Sequence, residues 1–213
     1  MGRNNLTRLR RVEYSKSAFE TLSELGLSGT TVDKVAERAG TSKTNILHYF
    51  GSKAQLLEMA MRYAHADFAK DVRELLVRSA TPWERVYSVV EGNFSRAYFK
   101  PRVAHAWLAL CAEVPYRSAY QRIQTATHKR TASNLIHALD RVTDRETACQ
   151  TAFSLSVMID GLWVRCGTTP AGISRDTSIE HISHYLESVF PGDAERTAAK
   201  VRIAEINSIL NPH

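Results

Sequence analysis

The sequence predicts an all-α protein, with a small three-helix domain over residues 1–52 and a larger helical domain over 53–213. Three observations predict it. Apolar residues recur at three- and four-residue spacing along most of the chain. No stretch between turns sustains the alternation of a strand. Glycine, proline and side chains suited to capping fall where one helix must stop and the next must start.

Residues 3 to 25 read as the first helix. Ala18, Leu22 and Leu25 recur along one stripe, Leu9, Val12 and Phe19 widen it, and Gly26 ends it. The stretch Thr30 to Lys53 then reads as two short helices joined by a tight turn, followed by the opening of a long third one. Thr31 caps the first short helix, its hydroxyl able to take an unpaired N–H of the first turn. Val32, Val35, Ala36 and Ala39 give that helix a narrow apolar face. Gly40 ends it, because glycine enters the left-handed region without steric cost. Thr41 or Ser42 caps the second, whose buried side is Ile46, Leu47 and Phe50 and whose exposed start is Ser42, Lys43, Thr44 and Asn45. Gly51 breaks the chain, Ser52 caps, and Lys53 opens a helix running towards Leu75 and Leu76.

Beyond Ser79, Thr81 is the next cap and Pro82 the first helical residue, where a missing N–H costs nothing. The expected helices are then 82–99, 101–114, 118–141, 145–167 behind Asp144, one behind Ser174 that ends near Phe190, and 194–210, where Val201, Ile203, Ile206, Ile209 and Leu210 mark an apolar face. Lys100-Pro101, Val114-Pro115 and Pro191-Gly192 supply the breaks.

A helical hairpin whose second helix starts with small polar residues reads as a helix-turn-helix, able to lay that start in a major groove, although the same pattern also suits a helical hairpin inside an ordinary bundle. Lys53 and the N–H groups around it suit a phosphate. Composition agrees. The chain has 213 residues, 44% hydrophobic and 23% charged, with a net charge of +6. From Met1 to Gln55 nine Lys and Arg stand against five acids, an excess of four, so the basic surplus sits with the hairpin and suits a polyanion. Arg3, Arg8, Arg10 and Arg11 suit either a flexible arm onto DNA or a solvated basic end.

The order T-V-x-x-V-A-x-x-A-G-x-S-x-x-x-I-x-H-Y-F-x-S-K, from Thr31 to Lys53, resembles the DNA-binding domain of TetR-family repressors. The resemblance implies that Thr31, Lys43, Thr44, Tyr49 and Lys53 contact phosphate or bases. The expected reading surface is Ser42, Lys43, Thr44 and Asn45 towards bases or their flanking phosphates, with Thr31, Tyr49 and Lys53 on the backbone. His48 either joins them or stacks under Tyr49.

The rest of the chain is similar to the choline-responsive BetI repressors. The likeness is carried by Gly92-Asn93-Phe94, Ala106-Trp107-Leu108-Ala109, Tyr120-Gln121-Arg122, Ser133-Asn134-Leu135 and the run Ile159 to Arg165, and with the head it spans about residues 10 to 190. It implies a homodimer on a palindromic operator and a small-molecule effector, with a quaternary ammonium such as choline as the expected kind. The dimer face is expected on the helices at 145–167 and 174–190, at Leu155, Met158, Gly161, Leu162, Ile182, Tyr185 and Leu186. Each of these also suits packing within one subunit. A quaternary ammonium is held by aromatic faces with a carboxylate nearby. The residues expected to hold it are Trp107, Glu113, Tyr120, Asp160 and Trp163, although aromatics at helical spacing also suit a core and Asp160 can pair with Arg165. A regulator of another small-molecule pathway or of efflux fits the same scaffold.

Other classes fit less well. The sequence has no P-loop, Gly-x-Gly-x-x-Gly, Gly-x-Ser-x-Gly or His-Glu-x-x-His motif, so no enzyme class is indicated. His181 and His184 lack an acidic or cysteine partner at ligand spacing, as does His128 beside Lys129, so neither a metal nor another cofactor is expected. Cys111, Cys149 and Cys166 are odd in number and widely spaced, which suits buried thiols in a reducing cytoplasm. No apolar run reaches a bilayer span, and MGRNNLTRLRR lacks the apolar segment of a signal peptide. A non-DNA-binding helical adaptor would need neither the polar-tipped helix nor the basic head.

Overall fold

The computed structural model describes residues 3–211, with side chains described from Asn5. Ten α-helices follow one another: α1 Arg3–Gly29, α2 Val32–Arg38, α3 Lys43–Phe50, α4 Lys53–Arg78, α5 Pro82–Asn93, α6 Pro101–Cys111, α7 Ser118–Leu139, α8 Arg145–Thr168, α9 Arg175–Val189 and α10 Ala194–Leu210, with a 3-10 turn at Val114–Tyr116. Among the described residues there is no strand. The expected caps are in place. The side chains of Thr31, Ser42, Thr81, Asp144 and Ser174 each accept the backbone N–H three residues on.

By compactness the chain divides into two units, one holding the chain to Asp67 with His105–Gln124, the other Phe68–Ala104 with the chain from Thr125. The expected boundary was residue 52. The first unit takes in the start of α4, where Leu56, Leu57 and Ala60 are buried.

In the first unit the core is Tyr14, Ala18, Phe19, Leu22, Val35, Ile46 and Phe50. The chain leaves helical geometry at Gly26 (φ 66°), as expected, but a further turn reaches Gly29, and the Thr30 hydroxyl returns to the Gly26 carbonyl at 2.7 Å. The apolar stripe of α1 departs from expectation. Leu9, Val12 and Leu25 are exposed, while Ser15, Ser17 and Thr21 are buried. Small polar residues fit inside here because their hydroxyls can bond their own helix, as Ser15 does to the Arg11 carbonyl at 2.7 Å and Thr21 to the Ser17 carbonyl at 2.7 Å.

The second unit is built on Trp83, Val86, Val90, Leu135, Leu139, Ala152, Leu155, Ile159, Ile182, Leu186 and Ile203. Helix α5 stops at Asn93 and not at 99. Two carbonyls that a longer helix would use are taken by distant donors. Trp163 Nε1 donates to the Asn93 carbonyl at 3.0 Å, and Arg175 Nε donates to the Phe94 carbonyl at 2.8 Å. Helix α10 also departs from its apolar pattern. Its buried face is Arg196, Ala199, Ile203 and Asn207, with Val201 and Ile209 exposed. Both buried polar side chains have partners: Arg196 pairs with Glu187, although its Nε makes no hydrogen bond, and Asn207 donates to Glu91 at 2.9 Å. Trp83 anchors the start of α10 by donating to Asp193 at 2.8 Å.

Candidate nucleic-acid interface

Helix α2 begins at Thr31, whose hydroxyl accepts the Lys34 N–H at 3.2 Å. Arg38, at its other end, donates to the Thr21 hydroxyl at 3.1 Å and pairs with Glu24, which fixes α2 against α1. The chain then turns at Gly40 (φ 60°), with the Thr41 N–H returning to the Ala36 carbonyl at 2.9 Å. Ser42 caps α3, its hydroxyl accepting the Asn45 N–H at 3.1 Å. Ile46 and Phe50 are buried, Leu47 is only half-buried, and Ser42, Lys43, Thr44 and His48 are exposed.

Side-chain bonds set how this surface is presented. Lys43 Nζ lies 2.9 Å from Asp33, joining the starts of α3 and α2. Both partners are exposed, so the pair is worth at most about 1 kcal/mol and yields readily to a stronger anion. Asn45 is turned inward. Its amide nitrogen donates to the Tyr14 hydroxyl at 2.9 Å and to the Thr41 hydroxyl at 2.8 Å, so both amide hydrogens are engaged inside the head. The Tyr49 ring stands edge-on to Tyr14, with centroids 5.4 Å apart, and His48 meets Tyr49 edge-on at 5.5 Å and does not stack beneath it. Ser52 caps α4 by accepting the Gln55 N–H at 3.2 Å. Lys53, the first residue of α4, is exposed, and among the described residues no carboxylate pairs with it.

The basic segment, read as either a flexible arm or a solvated basic end, is helical as part of α1. Arg10 pairs with Glu13 at 2.8 Å, which raises the guanidinium pKa above its ordinary value. Arg11 donates to the Tyr49 carbonyl at 2.7 Å and lies over the Phe50 ring. The Arg3 side chain lies outside the described residues. No local pattern announces the bonds of Arg11 or Asn45, since their partners are 38 and 31 residues away.

The residues expected to hold an effector divide between the units. In the first, Trp107 meets His65 edge-on at 4.3 Å, and Glu113 pairs with Arg117 at 2.9 Å. Tyr120 is buried with the Arg117 guanidinium over its ring. In the second, Trp163 is buried and Asp160 is exposed, 3.4 Å from His128 and not paired with Arg165. Trp163 belongs to an aromatic cluster that sequence reasoning did not assemble. Phe68 stacks on it at 5.4 Å, Phe99 meets it edge-on at 5.2 Å, and Tyr98 lies 5.0 Å from Phe68. In the same unit Glu91 is buried against Arg175 and Asn207.

Of the residues expected at the dimer face, Leu155, Ile182 and Leu186 are fully buried inside the second unit. They occupy the inward face of α8 and α9. Met158, Leu162 and Tyr185 are half-buried and Gly161 is exposed. Phe153, Val157 and Val164, on the outward face of α8, are 70%, 53% and 45% exposed. No described helix is long and apolar enough to cross a membrane.

An all-α head presenting a capped, polar-tipped second helix beside a basic surface defines a helix-turn-helix DNA-binding regulator. The family model for bacterial regulatory proteins of the tetR family matches residues 16–60, and that for the C-terminal part of BetI-type transcriptional repressors matches 82–191. The HTH-type transcriptional regulator BetI 1 of Chromohalobacter salexigens is 35% identical over 180 residues, 84% of this chain and 89% of that protein. BetI of Brucella anthropi is 32% identical over 185 residues, 87% of this chain and 95% of that one. A TetR transcription regulator from Haloarcula marismortui shares the fold with a TM-score of 0.75 at 18% identity, covering 84% of this chain and 97% of that one. A putative regulator from Saccharomonospora viridis, solved in complex with choline, does so at 0.71 and 21%, covering 84% and 96%. The chain belongs to the TetR family of transcriptional regulators, with a BetI-type C-terminal domain.

Proposed function

We propose that the protein is a ligand-responsive repressor that acts as a homodimer on a palindromic operator, and that its effector is a quaternary ammonium such as choline. The observation that carries the reading is the head. Lys43 and Thr44 stand exposed at the capped start of α3, and Lys53 stands exposed at the start of α4. Lys43 and Thr44 face base edges or their flanking phosphates, with Ser42 and Asn45 holding the helix start in position. Thr31, Tyr49 and Lys53 hold the backbone, and His48 borders the same surface. Such a regulator works in the cytoplasm, on the DNA.

The dimer uses the outward face of α8, where Phe153, Val157 and Val164 form an exposed apolar stripe with Met158, Leu162 and Tyr185 beside it. A Cβ added at Gly161 would meet nothing within 4 Å, so a second copy of the helix can approach closely there. Two-fold pairing sets two heads on two half-sites. The similarity to BetI regulators supports control of choline and glycine betaine metabolism, and the Trp163 cluster supplies the aromatic faces that a cation without N–H donors requires. Effector binding favours a conformer whose heads no longer match the operator, by no more than its differential affinity for the two conformers.

The test is a salt titration of the purified protein on DNA from just upstream of its own gene, with excess non-specific competitor, with and without choline. Competitor-resistant binding that choline weakens is expected. Specific binding indifferent to choline would keep the repressor and transfer the scaffold to another small-molecule or efflux pathway. Failure there and in selection from random DNA would overturn the reading.

A further inference from the structure

We infer that the first three turns of α1 form a rigid second phosphate clasp, in which Arg8 grips the DNA backbone beside Lys53. This rests on the DNA-binding reading above. The segment lies ahead of residue 16, where the match to the tetR-family head begins. It is helical and continuous with the buried part of α1. At about 100° per residue, Arg8 sits within about 20° of both Ser15 and Phe19 around the helix. Both are buried, so Arg8 continues the inward face of α1 past the body of the head. Arg11, one turn further on, fixes where that face points, because its bond to the Tyr49 carbonyl and its place over Phe50 hold it at the junction of α3 and α4. Arg8 therefore lies about 5 Å along the helix from Arg11, beyond the turn from which Lys53 opens α4.

Charge selects the occupant. No acidic residue occurs from Arg3 to Val12, Arg8 is exposed, and among the described residues no carboxylate pairs with it. Arg10 lies about 140° from Ser15, away from the junction, and is paired with Glu13. One arginine thus extends the surface next to Lys53 while its near neighbour is neutralised elsewhere. A guanidinium on a preformed helix meets phosphate through a planar fork, with the backbone already ordered before binding.

The experiment compares the full-length wild type with Arg8→Ala, Arg10→Ala and Lys53→Ala in salt titrations on the same operator fragment. Alanine is the best helix former, so Arg8→Ala keeps the helix, and an unchanged melting temperature checks this. Arg8→Ala is expected to flatten the log K against log salt slope by about 0.9 for each head bound, as Lys53→Ala does, and to weaken specific and non-specific DNA about equally. Arg10→Ala should leave the slope within error of wild type. If Arg8→Ala keeps the wild-type slope while Lys53→Ala flattens it, or if Arg8→Ala and Arg10→Ala flatten it equally, there is no clasp at Arg8. A wild type that binds no DNA would instead strike down the DNA-binding reading itself.

Discussion

The Asn45 amide donates to the Tyr14 hydroxyl at 2.9 Å, tying the second helix of the hairpin to the middle of α1. Tyr14 is buried, and its ring also supports Tyr49 from the edge. One tyrosine therefore sets the attitude of α3 at both its ends. Tyr14→Phe keeps the ring and leaves one Asn45 hydrogen without its acceptor, which should destabilise the head by about 1 kcal/mol. Urea unfolding measures this. Operator affinity should fall with an unchanged salt slope, because no charge is lost; a flattened slope would contradict a positioning role.

Lys53→Ala removes an exposed cation that has no carboxylate partner among the described residues. Binding to all DNA should weaken, with the salt slope reduced by about one unit per head. A variant with the wild-type slope would show that Lys53 touches no phosphate.

Val157→Arg places a charge in the exposed stripe of α8. Burying it unpaired between two copies costs several kcal/mol, so the dimer dissociation constant should rise at least about a hundredfold, with little change in subunit helicity. Sedimentation velocity reads the outcome. A variant that sediments as wild type would move the dimer face off this stripe.

Gly92→Ala tests the packing of α4 on α5. A Cβ there would meet the Val72 backbone at 2.6 Å, and backbone cannot swing aside as a side-chain end can. The expected loss is about 1 to 3 kcal/mol from overpacking, seen as a lower melting temperature. An unchanged melt would show that the two helices separate freely.

Burial pushes the Tyr120 hydroxyl up to about 12, with the Arg117 guanidinium pulling it the other way. The unfolded chain loses this proton near its ordinary value of 10.0. The contribution is therefore fully present below pH 10 and is lost as pH rises towards 12, where the fold must ionise a buried phenol. The loss is on the order of 2 kcal/mol. Unfolding curves between pH 9 and 12 should be flatter for Tyr120→Phe than for wild type by about that amount.

The candidate site was partly legible in the sequence. The reading helix, its caps and Lys53 were visible because the motif from Thr31 to Lys53 is contiguous. The inward turn of Asn45, the anchor of Arg11 on Tyr49 and the grouping of Phe68, Phe99 and Trp163 were not visible, because each joins residues at least 31 positions apart. Phe68 and Phe99 are marked in the sequence only as ordinary apolar positions.

By itself the sequence determined where helices begin and end at nearly every junction. A cap such as Thr31, Ser42 or Asp144 acts on an N–H three residues away, and Pro82 or Gly40 acts on its own backbone, so these signals do not depend on the rest of the fold. The one long overrun, α5, failed where Trp163 and Arg175 took its carbonyls from far along the chain. Tertiary structure alone decided which faces are buried. Leu9, Val12, Val201 and Ile209 lie outside while Ser15, Thr21, Arg196 and Asn207 lie inside. Burial is a property of the neighbour that covers a residue, and a polar group can be covered wherever a partner such as Glu91 or Glu187 satisfies it.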